Sequence, residues 1–154
     1  MTQPIGLRRS SIAAMVLVCS LLLSTIVADR ADAGVVARDR AEMLEHTNAA
    51  RAKNDLHLLK LDREVSKYAR RHSREMANQD RLFHTANLSA KLSGKEWKVG
   101  GENVGYGSSL KQIQSAFMKS EAHRANILRT TYRYAAIGVV RSGGTFWVTV
   151  IFYG

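Results

Sequence analysis

A single cysteine, Cys19, and a single proline, Pro4, occur in 154 residues. One thiol cannot close an intrachain disulfide, so the domain must fold without covalent cross-links, even in a compartment that would permit them. With one proline there is no proline-rich linker, and neither an internal repeat nor a low-complexity segment interrupts the chain. Acidic residues are scarce, 13 against 23 Lys and Arg, which gives a net charge of +10. No H-E-x-x-H helix is present, no serine or cysteine nucleophile sits in a recognisable setting, and phosphate-loop and dinucleotide fingerprints are missing. These absences remove the commonest hydrolase and nucleotide-binding readings.

The first thing present is an export signature. Arg8 and Arg9 precede an apolar run from Ile12 to Ala28, and Ala31-Asp32-Ala33 supplies small residues for cleavage before Gly34. The run is short of the roughly 20 apolar residues that cross a bilayer; an uncleaved N-terminal anchor is the alternative. Cys19 lies inside this run behind Val18, where a lipoprotein signal would have a small residue. Residues 1–33 are therefore expected to be a signal peptide and residues 34–154 a single domain with one core. Three Arg and two Asp fall before residue 34, leaving about +9 on the domain. That charge favours anionic surfaces such as cell-wall polymers or lipid headgroups over nucleic acid for an exported protein.

From Asp39 to about Lys53, Met43, Leu44, Thr47 and Ala50 recur at helical spacing, and Asn54-Asp55 punctuates the run. Asp62 is placed to cap a second helix reaching about Asn78. Val65, Tyr68, Ala69, His72 and Met76 share one of its faces, opposite Lys67, Arg70, Arg71 and Arg74. His72 reads as a half-buried packing residue, and the basic face as its solvated side. Between Arg81 and Gly107 five glycines predict a long irregular segment with one short helix near Leu88 to Leu92. Ser108-Ser109 caps a further helix with Leu110, Ile113 and Phe117 inward. The tail, AAIGVVRSGGTFWVTVIFYG, predicts a β-hairpin turning at Ser142-Gly143-Gly144. Its last strand is apolar on both sides, so the expected class is α+β with helices on both faces of an antiparallel sheet.

Three stretches where regular helix ends carry the chemistry: FHTANL (Phe83 to Leu88), GGENVGYG (Gly100 to Gly107) and SEAHRANIL (Ser120 to Leu128). Glycines around Glu102 and an Asx turn at Asn103 would project the Glu102 carboxylate in a fixed direction. Ser120 is placed to cap a short helix by accepting from the amide of His123.

Together, N-x-x-R (Asn48 to Arg51), H-x-x-x-L (His84 to Leu88), G-E-N (Gly101 to Asn103), S-x-x-H-R-x-N-I-L (Ser120 to Leu128), a G-x-G-like strand (Ala136 to Val140) and an aromatic final strand (Phe146 to Phe152) resemble bacterial CAP domains. CAP is the superfamily of cysteine-rich secretory, antigen 5 and pathogenesis-related proteins. The resemblance spans about Arg40 to Gly154, and the order and spacing of its motifs are specific where each motif alone is weak. It implies an α-β-α sandwich and a cavity lined by His84, His123 and Glu102, with Asn103 beside them. A second acid is implied where this chain has Ser120, with Glu121 adjacent. On a regular helix Glu121 and His123 point to different sides, and Glu121 is also explained by the helix dipole.

Two imidazoles and a carboxylate, His84, His123 and Glu102, would suit a divalent metal such as zinc with an open fourth position. A hydrogen-bonded trio is the alternative. The reading favours a monomeric, extracellular or cell-envelope binding module for a small apolar or amphipathic ligand, a lipid or envelope component, over an enzyme. A metal-dependent hydrolase and a surface-acting signalling or adhesion protein are the competing classes.

Overall fold

The computed structural model describes residues 33–154. The expected signal segment, Cys19 included, lies outside the described residues but for Ala33. Val36–Gly154 form one compact unit, which carries the sheet and its helices among the described residues. In chain order it contains helix α1 (residues 36–52 of this unit), strand β1 (Lys60–Leu61), α2 (Val65–Asn78), α3 (Leu88–Lys91), β2 (Gly100–Gly107), α4 (Leu110–Lys119), α5 (Glu121–Ile127), β3 (Tyr134–Ser142) and β4 (Thr145–Tyr153).

Local signals set most helix ends. α1 stops at the Asn54-Asp55 pair: Asn54 Nδ2 donates to the Ala50 carbonyl at 2.8 Å, and Asp55 turns the chain at φ 56°. Asp62 starts α2, its Oδ1 accepting from the Glu64 and Val65 amides at 2.8 and 2.9 Å. Ser109 Oγ accepts from the Gln112 amide at the start of α4. β3 and β4 form the predicted hairpin, closed by Gly143-Gly144, both at positive φ, between paired Ser142 and Thr145.

The sheet order is β1-β3-β4-β2, with β1 parallel to β3 and the other neighbours antiparallel. Side chains alternate between two helical layers. Ile137, Val139, Val148, Val150 and Phe152 pack with Met43, Leu110, Ile113 and Phe117 of α1 and α4. On the other face Ala136 and Ile151 meet Val65 and Ala69, and Trp147 and Val104 meet Met76 of α2. β4 is buried on both faces from Trp147 to Tyr153. This α+β arrangement is the sandwich its apolar strand predicts.

Besides the short strand β1, whose parallel pairing with β3 departs from the antiparallel sheet expected, one longer element differs from expectation. The stretch read as irregular, GGENVGYG, is an eight-residue strand paired with β4 along its whole length. Its glycines mark close packing: a Cβ at Gly105 would lie 2.9 Å from the Phe117 ring, and one at Gly101 2.4 Å from the Tyr132 hydroxyl oxygen. Helices on that side sit so close that alternate positions carry no side chain, which hides the strand periodicity.

Candidate functional site

β2 is the edge strand next to β4, and two histidines reach it from opposite layers. One comes from the segment after α2. His72, on the buried side of α2, donates from Nε2 to the Phe83 carbonyl at 2.8 Å, and the two rings meet edge to face at 4.9 Å. A carbonyl only accepts, so Nε2 of His72 carries the hydrogen. Phe83 is thereby pinned, and the next residue, His84, arrives beside Glu102.

The Glu102 side chain is only 5% exposed, and it accepts three hydrogen bonds. Oε1 accepts from His84 Nδ1 at 2.8 Å and from the Thr85 amide at 2.9 Å, while Oε2 accepts from the Thr85 hydroxyl. A buried carboxylate needs such compensation. The arrangement fixes His84 with its hydrogen on Nδ1 and leaves Nε2 facing outward, on a side chain 64% exposed.

The second histidine comes from the other layer. His123, in α5, rests against Phe117 with ring centroids 4.9 Å apart. Its pKa is held below the ordinary histidine value, first by burial and then by the charge of nearby His84. Two asparagines dock α5 onto the strand. Asn103 Nδ2 donates to the His123 carbonyl at 3.0 Å, and Asn126 Nδ2 donates to Asn103 Oδ1 at 2.9 Å and to the Glu102 carbonyl at 3.2 Å.

Several expectations are corrected by this placement. Asn103 forms no Asx turn; it is a fully buried strand residue whose side chain faces α5, so it positions His123 and does not line a cavity. Ser120 makes no side-chain cap. It joins α4 to α5 through its backbone, its amide donating to the Ala116 carbonyl and its own carbonyl accepting from Arg124. Its φ and ψ of −87° and 124° serve both helices at once. Glu121 is exposed and lines a surface groove with Lys119, Arg124 and Leu128. On a helix a residue two positions from His123 faces elsewhere, and Glu121 lies in the first turn, where the dipole favours its charge. Neither Ser120 nor Glu121 places a second acid beside His84, Glu102 and His123.

Among the described residues no group of three His, Cys, Asp or Glu side chains stands close enough to hold an ion. Both Glu102 oxygens are already occupied by His84 and Thr85, so the three-ligand set does not fit a metal as it is arranged. What the geometry provides is a hydrogen-bonded cluster in which the carboxylate orients His84.

Sequence reasoning missed Thr85, Asn126 and the positioning role of His72. Only the proximity of Thr85 to His84 in FHTANL hinted at any of them. It also left open what N-x-x-R does. Arg51 is fully buried with no carboxylate, donating from Nη1 to the Ile127 and Arg129 carbonyls at 2.8 and 2.9 Å and from Nε to the His57 carbonyl at 2.9 Å. It ties the end of α1 to the C-terminal carbonyls of α5. Burial lowers its pKa, with Arg133 adding to the effect.

No helix among the described residues is long and apolar enough to cross a membrane. In structural comparison, an SCP-domain extracellular protein from Bacillus anthracis aligns with a TM-score of 0.67 at 23% identity, covering 77% of this chain and 41% of that one. An outer surface protein of Borrelia burgdorferi aligns with a TM-score of 0.68 at 16% identity, covering 75% and 92%. Both likenesses concern the fold, and those two proteins are an extracellular and an outer-surface protein. In sequence, the uncharacterized protein YkwD of Bacillus subtilis (strain 168) is 33% identical over 109 residues, 66% of this chain and 42% of that protein. The chain thus spans less than half the length of that relative. The model of the cysteine-rich secretory protein family, CAP, matches residues 44–152, which contain all of the sheet but Tyr153 and every residue of the His84–Glu102–His123 cluster. With most of its length covered by that match, this chain belongs to the cysteine-rich secretory protein (CAP) family.

Proposed function

We propose that the protein is an exported, non-enzymatic binding module for a small amphipathic molecule, with residues 1–33 its export signal and residues 34–154 its working domain. The observation that carries this reading is a groove of about 360 Å³ between α1 and α4. Ala49, Ala50 and Met118 give it apolar walls, and Lys53 and Lys111 stand exposed at its rim. Gln114 lines it while only 7% exposed, and its Nε2 has no hydrogen-bond partner among the described residues. An unmet buried donor costs about 1–3 kcal/mol. A carboxylate or carbonyl seated there would remove that cost, with the lysines favouring a negative head and the apolar walls an aliphatic body. In this reading the His84–Glu102–Thr85 cluster is a structural tie, its carboxylate accepting three hydrogen bonds that hold the segment after α2 against β2. The net charge of +10 supports work near anionic envelope surfaces. The domain acts as a monomer in this reading.

Isothermal titration of the protein with dodecanoate tests the reading, and Met118→Glu provides the contrast. Binding that falls at least about tenfold in Met118→Glu, equivalent to about 1.4 kcal/mol, is expected. Undetectable binding to wild type, or equal binding by both proteins, refutes it. Native mass spectrometry of protein recovered from culture medium should show a co-purified adduct of lipid-like mass.

A further inference from the structure

On the opposite layer, α2, α3 and the segment 83–86 enclose a second cavity, of about 210 Å³. Its residues are entirely separate from those of the α1–α4 groove. Two cations converge there on one aromatic ring. The Arg71 guanidinium carbon lies 5.0 Å from the Tyr68 ring centroid and the Lys91 ammonium 5.8 Å. They come from different helices, α2 and α3, so helix spacing alone does not bring them together.

Neither cation is neutralised. Among the described residues no ion pair engages Arg71 or Lys91. Glu75, the one carboxylate in the lining, sits 3.9 Å from His72 Nδ1. A cation held over an aromatic face gains about 0.5–1 kcal/mol at an exposed site, whereas two like charges on one ring repel. An anion in the cavity that both of them line would offset that repulsion. Besides His72, His84 and Thr85, which also line it, the walls include the Phe83 ring, Ala86 and the Tyr68 ring, itself 39% exposed, and these suit the organic part of such an anion. Tyr68 was expected on the buried face of α2, and its displacement to the rim is what gives the cavity an aromatic side.

Size narrows the ligand. Pockets for drug-sized molecules run from about 300 Å³ upward, so this cavity takes a head group and not a whole lipid or a sugar chain. An Arg and a Lys lining one cavity match the charge and oxygen count of a phosphate better than those of a single carboxylate. We infer that the cavity formed by Tyr68, Arg71, Phe83 and Lys91 is a binding site for a phosphate ester of head-group size, independent of the amphipathic-ligand groove. The same chemistry is offered by a soluble phosphomonoester and by the phosphodiester of an anionic phospholipid.

The experiment uses three probes on the whole domain: inorganic phosphate, glycerol 3-phosphate, and vesicles of phosphatidylglycerol in phosphatidylcholine. Each is measured against wild type, Arg71→Ala, Lys91→Ala and the exposed-lysine control Lys98→Ala, with thermal melts confirming that all fold. Glycerol 3-phosphate is expected to bind more tightly than inorganic phosphate. Arg71→Ala and Lys91→Ala should each weaken it about tenfold or more, the size of a lost charged hydrogen bond, while Lys98→Ala leaves it unchanged. If only vesicles bind and the same two variants release them, the site holds and its ligand is the membrane phosphodiester. Equal losses in all three variants would show a diffuse charge effect, and no binding to any probe would show that there is no site; either result overturns the inference.

Discussion

His72 donates to the carbonyl oxygen of Phe83 at 2.8 Å, and this one bond decides where His84 stands. Besides the Arg81 amide, which donates to the Met76 carbonyl at 3.2 Å, it is what ties the segment leaving α2 to that helix before His84 and Thr85 meet Glu102 on β2. His72→Leu keeps the apolar packing on α2 and removes the donor. It is expected to cost about 1–3 kcal/mol, since a buried acceptor loses its partner. In native-state hydrogen exchange, the Thr85 amide, which Glu102 Oε1 accepts, should lose protection before the β4 amides do. Unchanged Thr85 exchange would show that His72 does not hold the segment.

Glu102 is the anchor to which that segment attaches, and three donors depend on it. Glu102→Ala leaves the Thr85 amide and hydroxyl without an acceptor and should destabilise by about 2–4 kcal/mol, Glu102→Gln by less. Urea midpoints at constant slope measure both. A loss under about 0.5 kcal/mol in Glu102→Ala would remove the structural role assigned to the cluster.

Because both Glu102 oxygens are occupied, zinc should add little to stability. An ion held with a Kd of 1 μM would raise stability by about 2.7 kcal/mol at 100 μM. Thermal melts of chelator-treated protein with and without 100 μM zinc are expected to coincide within about 1 °C, well under the roughly 2–8 °C per kcal/mol seen in small domains. A rise of several degrees that Glu102→Gln abolishes would mean that the cluster rearranges around an ion.

Asp62 sets an acid limit. Burial alone would raise its pKa, but hydrogen bonds from Tyr153, the Val65 amide and Lys95, together with the Lys95 charge, bring it below the usual value of 3.8. A carboxyl with a depressed folded pKa contributes stability that is present above the unfolded value and is lost as pH falls through the folded one. Stability should therefore decline below about pH 4, and Asp62→Asn should flatten that decline while lowering stability at pH 7. Tyr153 works at the other end. Burial and the Asp62 hydrogen bond raise its pKa, so its contribution is present below the unfolded value near 10 and is lost as pH rises through the folded one. Denaturant melts from pH 3 to 11 trace both arms, and identical profiles for wild type and Asp62→Asn on the acid side would contradict this account.

Gly138 lies where α2 crosses β3. A Cβ there would sit 2.1 Å from the Ala69 carbonyl carbon and 2.2 Å from the Arg70 nitrogen, both backbone atoms of α2. Neither can move without shifting the helix, so Gly138→Ala should cost more than about 3 kcal/mol or prevent folding. Gly143→Ala, with open space around it but φ at 55°, should cost only about 1 kcal/mol. Soluble yield and urea midpoint rank the two, and near-equal midpoints would refute the close-approach argument.

Local chemistry was enough to place what depends on neighbours in the chain. Periodicity located α2 and α4, Asn54-Asp55 and Ser109 marked helix ends, and the apolar run after Gly144 required a strand covered on both faces. The ordered motifs named the family and put His84, Glu102 and His123 near one another. Tertiary structure decided what depends on distant contacts. β2 was invisible because its glycines answer to Phe117 and Tyr132 across the layer and not to strand alternation. Asn103 and Asn126 carry no local signal of partnership, yet they dock α5 and so aim His123. Glu121, two residues from His123, was an alternative acid on paper, and the turn of α5 alone sends it outward. The three cluster residues come from a segment, a strand and a helix that meet only at the edge of the sheet. Whether their carboxylate is free to take an ion or is filled by Thr85 is a matter of side-chain distances, and those exist only once the layers have packed.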